Sequence, residues 1–360
     1  MDTVLVVVNE GAGSGRTEKL ETRRRLLEDE GWEQRTVEVP VGLSPALLRS
    51  AVRVNRIANR EDASVIHSIS NPFHLHLVAM VASLLSGRPW LAEFRDPLVT
   101  NPDVDPSSWR ALARRVVERL IVHTADRVAW LDMIQLPERY FQETYPRVPD
   151  DRWLELPPVG YVADPFGDVE PVTTERFTVT YAGSFYEGWI EPYRFLDGLA
   201  AYVDRYGEEI RAQFYGDWRP EYDRYAREVG VEDLVVDHEY VPHEEVVPVL
   251  CGSDALLYIG GTDDRNRHSV SSKMWDYAGA GRPVLAIAAP EFRVSGFVEE
   301  YGVGLAVDPT DPTAVADALH RIESDEFEYS PDESVFEKFT RERNVQELAR
   351  GYDALLAASN

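Results

Sequence analysis

The stretch 269-SVSSKMWDYAGAGRPVLAI-287 decides the fold. It follows an apolar run, Ala255-Leu-Leu-Tyr-Ile259, that reads as a strand, and a loop over 260–268. Ser271-Ser272-Lys273 predicts a helix start, because serine hydroxyls satisfy the orphan N–H groups of a first turn. Gly279 and Gly281 predict the end of that helix, and Pro283-Val-Leu-Ala-Ile a short buried strand. A helix N-terminus is a ready anion site, and Lys273 adds a full positive charge. Asp276 lies one turn inside, on the face of Ser272 and Lys273, where a carboxylate can accept two hydrogen bonds from a diol. The pattern alone also fits an ordinary helix–turn–strand with solvent-facing polar residues.

The same alternation runs along the chain. Strands are predicted at 3–9, 33–39, 64–68 and 89–93, with helices near 17–30, 45–59 and 75–86. Pro157, Pro158, Pro165 and Pro171 mark a division near 161–176. A second series follows, with strands at 177–181, 212–215 and 235–240 and helices near 192–206, 221–229 and 244–251. This order predicts two doubly wound parallel sheets in an α/β protein. The expected domains are 1–166 and 167–335, with a helical end at 336–360 drawn from one helix over 335–358.

The run Lys273-Met-Trp-Asp276-Tyr-Ala-Gly-Ala-Gly-Arg-Pro283 resembles the donor-binding signature of GT-B glycosyltransferases, family 4 especially. That signature is Lys, two residues, an acid, Tyr, a short helix tail, Gly, a basic residue and Pro. Its usual acid is Glu, and Asp276 is one methylene shorter. The resemblance covers much of the second half specifically and the first half loosely. It implies a GT-B architecture, two Rossmann-like domains facing across a cleft, with the C-terminal helix crossing back to the first. It also implies a nucleotide-sugar donor, its diphosphate on Ser271, Ser272 and Lys273 and its ribose on Asp276. Gly183-Ser184 ends a predicted strand at the family's Gly-rich turn, where backbone N–H groups approach phosphate. Gly216-Asp217 ends the next strand at the same edge, and Val241-Pro242 resembles the segment that contacts the base. Two departures stand out. Family members follow the Gly-rich turn with an Arg and a Lys that clamp the diphosphate, where this chain has Glu187 and Trp189. Arg265, Arg267 and His268 are candidate replacements, or a solvated loop. The family often carries a second acid eight residues before the ribose ligand, and here that residue is His268. Retention of anomeric configuration is the family expectation, weakened by His268.

The formal charge of −26 argues against nucleic acid as a general partner. Only three of the 37 basic residues are lysines, Lys19, Lys273 and Lys338. Acid excess with lysine depletion resembles proteins of salt-loving archaea, where salt screens self-repulsion. Residues 1–166 hold 20 basic and 24 acidic residues, giving −4, against 17 and 39, giving −22, in 167–360. The less acidic half could face an anionic carrier lipid or membrane surface, or solvating charge could simply have gathered on the other half. Cys251 is the only cysteine, so no intrachain disulfide forms, and its apolar setting predicts a buried structural thiol. No apolar run reaches membrane-spanning length, and Met1 leads directly into a strand, so a cytoplasmic protein is expected, with peripheral contact at the inner face of the cell membrane as an option.

The first half has its own candidates. Gly11-Ala-Gly13-Ser-Gly15-Arg16 resembles a dinucleotide fingerprint with its third glycine one residue early, which puts Gly13 and Arg16 forward for the donor phosphates or an acceptor. His67 ends a predicted strand, a position suited to a general base or to a satisfied structural histidine; His74 and His76 follow. Glu93-Phe-Arg95-Asp96-Pro97 resembles the Phe-Arg-Asp segment of some family 4 bacterial sugar transferases. Asp96 could position an acceptor hydroxyl and Arg95 bind phosphate, or the two could pair to close a loop. A helix near 109–122 carries Arg110, Arg114, Arg115 and Arg119 against Leu112, Val116, Leu120 and Ile121. It suits an anionic membrane surface, though such helices more often pack on their sheet.

The reading that joins these signals is a transferase moving a sugar from a nucleotide-diphosphate donor to a glycan or lipid-linked acceptor, in polysaccharide or glycoprotein glycan biosynthesis. Lys273 and the helix tip would stabilise the departing diphosphate. The resemblance implies no metal, and the nucleotide-sugar is a substrate, so no cofactor is expected. Rival readings are a nucleotide-sugar epimerase of the same fold and a non-catalytic nucleotide-sugar-binding protein.

Overall fold

The computed structural model describes residues 1–10, 14–40, 46–70, 72–95, 98–99, 107–133, 136–207 and 210–359. It divides into two compact units, Met1–Val159 with Phe339–Asn360, and Gly160–Lys338. The first unit begins β1 (Asp2–Asn9), α1 (Ser14–Asp29), β2 (Trp32–Val39), α2 (Ala46–Arg60), β3 (Val65–Ile69) and α3 (His74–Ser86). It continues with β4 (Trp90–Phe94), α4 (Trp109–Thr124), β5 (Arg127–Leu131), α5 (Tyr140–Thr144) and β6 (Trp153–Leu156). The second unit holds β7 (Phe177–Gly183), α6 (Tyr193–Tyr206), β8 (Ile210–Gly216), α7 (Pro220–Glu228), β9 (Val235–His238) and α8 (His243–Gly252). Then come β10 (Ala255–Gly261), α9 (Lys273–Ala280), β11 (Val284–Ala288), α10 (Arg293–Glu300), β12 (Gly304–Val307), α11 (Pro312–Glu323) and α12 (Ser334–Lys338). The last helix, α13 (Arg341–Ser359), belongs to the first unit.

In the first unit six parallel strands run in the order β2-β1-β3-β4-β5-β6. A parallel sheet is covered on both faces, so its strands read as continuous apolar runs. Val4 to Val8 accordingly have at most 3% exposure. Helices α2, α3 and α4 cover one face, where Val54, Val78 and Ile121 share a core with Ile66, Trp90 and Val128. Helices α1 and α13 cover the other, with Leu27, Val345 and Leu348 against Val4, Val65 and Leu91.

The second sheet, also all parallel, runs β12-β11-β10-β7-β8-β9. The chain steps from β7 outward to β9, then returns to lay β10 beside β7 and steps outward the other way. The strand order therefore reverses between β7 and β10, and crevices at such switch points are where open α/β sheets bind ligands.

Three local expectations change. The expected single helix over 335–358 is two helices, α12 and α13. The Arg343 N–H donates to Thr340 Oγ1 (3.0 Å) and the Asn344 N–H to the Thr340 carbonyl (3.1 Å), so Thr340 starts a new helix. Helix α4 buries Ala111, Glu118, Ile121 and Val122 and leaves Leu112, Val116 and Leu120 exposed, so most of its expected packing face points outward. Cys251 is half-buried rather than enclosed.

Among the described residues no helix is long and apolar enough to cross a membrane.

Candidate functional site at the switch point of the second sheet

Strands β7 and β8 pair to their last residues, Gly183 beside Gly216. Both have positive φ, +144° and +155°. A Cβ on Gly216 would lie 2.2 Å from the Gly183 carbonyl oxygen, and one on Gly183 would lie 2.7 Å from Lys273 Cε. Gly216 has no room for a side chain, and a side chain at Gly183 would be strained and would displace Lys273. The two bare strand ends and the first residue of α9 thus converge on one point.

Tyrosines hold α9 there. The Tyr277 hydroxyl donates to the Leu257 carbonyl on β10 (3.0 Å) and accepts the Ala182 N–H on β7 (3.1 Å). The Ser271 N–H donates to the Tyr258 hydroxyl (2.9 Å). The serine cap expected at Ser272 is not formed: its backbone is already helical and its side chain caps no N–H group. The helix is anchored instead by Tyr258 and Tyr277, and its first N–H groups keep no serine cap. It closes at Gly281, in the left-handed region.

Lys273 is half-buried, with its ammonium deeply set. Nζ lies 3.3 Å from the Tyr181 hydroxyl and 4.9 Å from that ring's centroid. Burial pulls its pKa down to about 8, partly opposed by the Asp217 carboxylate. Among the described residues no carboxylate pairs with it at ion-pair distance. The Asp217 carboxylate accepts the Phe185 N–H (2.7 Å), which ties the loop after β7 to the end of β8 and leaves Ser184 exposed. A lone, partly desolvated cation beside bare backbone and a helix N-terminus is built to receive an anion.

Residues 2–131 match the family described as the glycosyl transferase 4-like domain. Solved structures share the fold along the whole chain. A glycosyltransferase from Rickettsia africae is 13% identical with a TM-score of 0.72, covering 99% of this chain and 98% of its own. Sucrose-phosphate synthase from Thermosynechococcus elongatus is 17% identical with a TM-score of 0.67, covering 99% and 100%. Anabaena HepE, solved in complex with UDP-glucose, is 14% identical with a TM-score of 0.63, covering 100% and 99%. These are GT-B glycosyltransferases. The protein has the GT-B fold. No curated protein matches the sequence.

Within this GT-B chain, Asp276 sits half-buried one turn into α9, and its Oδ1 lies 3.0 Å from His243 Nε2 at the start of α8. That contact brings Asp276 to the Val241-Pro242 segment, and Tyr240 beside it is 81% exposed. His243 and Tyr181 escaped the sequence reading. His243 stands two residues after Val241 and Tyr181 two before Gly183, so proximity to flagged residues was their only signal.

Arg267 is tied to Asp264 (2.8 Å) and Glu291 (3.6 Å), and Arg265 to Asp263 (2.8 Å). His268 is half-buried, its pKa lowered by burial and by the charges of Arg267 and Arg293. The two arginines meet carboxylates of their own loop or its neighbour. A cavity of about 860 Å³ in the second unit, lined by Trp189, Tyr193 and Tyr225 with Glu191 and Asp197, shares no residue with the Lys273 point.

In the first unit, His67 lies in the middle of β3 rather than at its end and is fully buried. Its Nδ1 contacts Arg23 Nη2 (2.8 Å) and the Tyr352 hydroxyl (2.6 Å), and its Nε2 lies 3.0 Å from Glu93 Oε2. Arginine only donates, so Nδ1 accepts and Nε2 carries the proton that faces Glu93. Burial first, and the Arg23 charge next, lower the His67 pKa to about 4. Arg95 bonds Glu93 Oε1 through Nε (2.6 Å), and its N–H donates to Ser70 Oγ (2.9 Å). His67 and Arg95 are thus joined through Glu93 in one buried network. His74 meets the Pro40 carbonyl (3.2 Å) and His76 the Ser68 hydroxyl (2.7 Å). Gly13 and Asp96 lie outside the described residues. Arg16 falls within α1, with its side chain likewise outside them.

Proposed function

We propose that this protein transfers a sugar from a nucleoside-diphosphate sugar to a hydroxyl of a glycan or a lipid-linked sugar. The observation that carries the proposal is the unpaired Lys273 ammonium at the meeting point of Gly183, Gly216 and the α9 N-terminus. In this reading the diphosphate lies against Lys273 and the backbone of Gly183 and Ser184. Asp276, oriented by His243, accepts the ribose hydroxyls, and Tyr240 offers a face to the base. The acceptor oxygen bonds to the anomeric carbon as the bond from that carbon to the phosphate oxygen breaks. The electron pair leaves on the diphosphate, and the acceptor hydroxyl passes its proton to the departing phosphate oxygen. Lys273 meets the charge that grows on the departing oxygen, which lowers the barrier more than it strengthens ground-state binding. No metal is used in this account. Retention of configuration is the family expectation and is part of the proposal.

UDP-glucose is the first donor to try, because the Anabaena neighbour was solved with it. Thermal shift against nucleoside diphosphates and their sugars should show stabilisation by mass action. Lys273→Ala should reduce the shift for the diphosphates and leave any shift from the bare nucleoside unchanged. Asp276→Asn should weaken donor binding about tenfold or more, since bonds to a charged acceptor contribute about 1.5–3 kcal/mol each. Equal loss for the bare nucleoside in Lys273→Ala, or unchanged affinity in Asp276→Asn, would remove this site from the reading. Epimerised donor with no acceptor present would favour an epimerase, and tight binding without turnover a non-catalytic binder.

A further inference from the structure

We propose that the α2–α3–α4 layer of the first unit is a docking surface for membranes rich in anionic lipid. Helices α2 and α4 carry four arginines each, and α3 carries no charged residue apart from its histidines. The single carboxylate in the three helices, Glu118, is 1% exposed and accepts from the Tyr140 and Tyr145 hydroxyls (2.8 Å each). In a chain of net charge −26 this outer surface is positive. Among the described residues no carboxylate pairs with Arg49, Arg53, Arg56, Arg115 or Arg119.

The layer is also apolar on its outside. Trp109, Leu112, Val116 and Leu120 are 75%, 62%, 62% and 42% exposed. Their spacing of three, four and four places them on one helical face. Helix α3, packed against both α2 and α4, ends in exposed Leu84 and Leu85, and α2 adds exposed Leu48. Large apolar chains flanked by arginine, with a tryptophan at the edge, match the interface of an anionic bilayer.

Other occupants fit less well. A nucleic acid would meet the arginines but would leave the aliphatic stripe in water. A symmetric dimer would press the same patch on itself, arginine against arginine. The proposal is independent of what the second unit binds.

Flotation of the full chain with vesicles tests it. Wild type should float with phosphatidylcholine vesicles containing about 30% phosphatidylglycerol at about 0.1 M salt, where the Debye length is about 10 Å, and release as salt rises. It should not float with phosphatidylcholine alone. Arg115→Glu with Arg119→Glu should lower partition at least about tenfold, as should Leu112→Ser with Val116→Ser. Arg115→Lys with Arg119→Lys should keep it, because the attraction needs charge and not guanidinium geometry. All these positions are exposed, so thermal melts should match wild type. Wild type that stays down with anionic vesicles at low salt would overturn the proposal. So would variants that float like wild type, or a dimer that the serine pair dissociates.

Discussion

Lys273 is held where its charge is half-disfavoured, and this links donor binding to pH. Its pKa in the free protein is about 8, against an ordinary 10.5, because its ammonium is desolvated. A bound diphosphate favours the charged form, so binding above pH 8 must take up a proton. The sign follows: affinity is full below pH 8 and falls as pH rises through it. A group of pKa about 8 leaves diphosphate affinity about eightfold weaker at pH 9 than at pH 7.5. Titration calorimetry with a nucleoside diphosphate checks this, with Lys273→Ala as the flat control. A pH-independent affinity in wild type would separate Lys273 from the diphosphate. The sequence made Lys273 legible, because three lysines among 37 basic residues leave little room for an incidental one. It could not reveal the Tyr181 ring and hydroxyl beside it. That contact depends on how far the last strand residues run before the loop.

The elements follow the same logic. Strand, helix and strand were legible around α9 because apolar runs, glycines and a proline punctuate it in order. Gly183, legible as the residue that closes a strand, indeed pairs with Gly216 inside the sheet. The outward face of α4, by contrast, was illegible. Its apolar residues exceed what one buried stripe needs, and periodicity alone does not say which stripe meets the sheet. Gly183 carries the prediction at this scale. With φ at +144° and Lys273 Cε 2.7 Å from the added methyl, Gly183→Ala must push Lys273 aside or strain the strand end. A diphosphate probe should lose at least about tenfold in affinity, the cost of one well-placed charged contact. The melting temperature should move by only a few degrees, because about 1–2 kcal/mol of backbone strain is spread over a large unit. Unchanged affinity by calorimetry would mean that the strand end does not approach the ligand.

For the whole molecule, two doubly wound sheets were legible from repeated strand–helix alternation, whereas the buried polar network was not. Arg23, His67, Glu93 and Tyr352 come from four separated elements, and only the packing of α1 and α13 on one sheet face joins them. That network gives the protein an acid-labile half. Burial alone would raise the Glu93 pKa, but Arg95, Arg23 and the hydrogen bond from His67 hold it well below the usual range. His67 is lowered to about 4, and burial chiefly lowers His76 to about 3, against 6.5 for both in the unfolded chain. Between pH 6.5 and 4 the unfolded state therefore binds up to two more protons than the native state. Stability of the first unit is full above pH 6.5 and drops as pH falls, at up to about 2.7 kcal/mol per pH unit for two protons. Glu93 adds the same sign below pH 4.5. Protonation of surface carboxylates relieves the repulsion of a −26 chain and opposes this, but it acts mainly near and below pH 4.5. Hydrogen exchange in urea, followed on peptides of β3 and β4, reads the first unit apart from the second. Its protection should fall steeply from pH 6.5 to 5, and His76→Gln, less stable at pH 7, should show about half the slope because one of the two protons is gone. A first unit equally stable at pH 7 and pH 5 would mean that these histidines are protonated, or reached by water, in the native state.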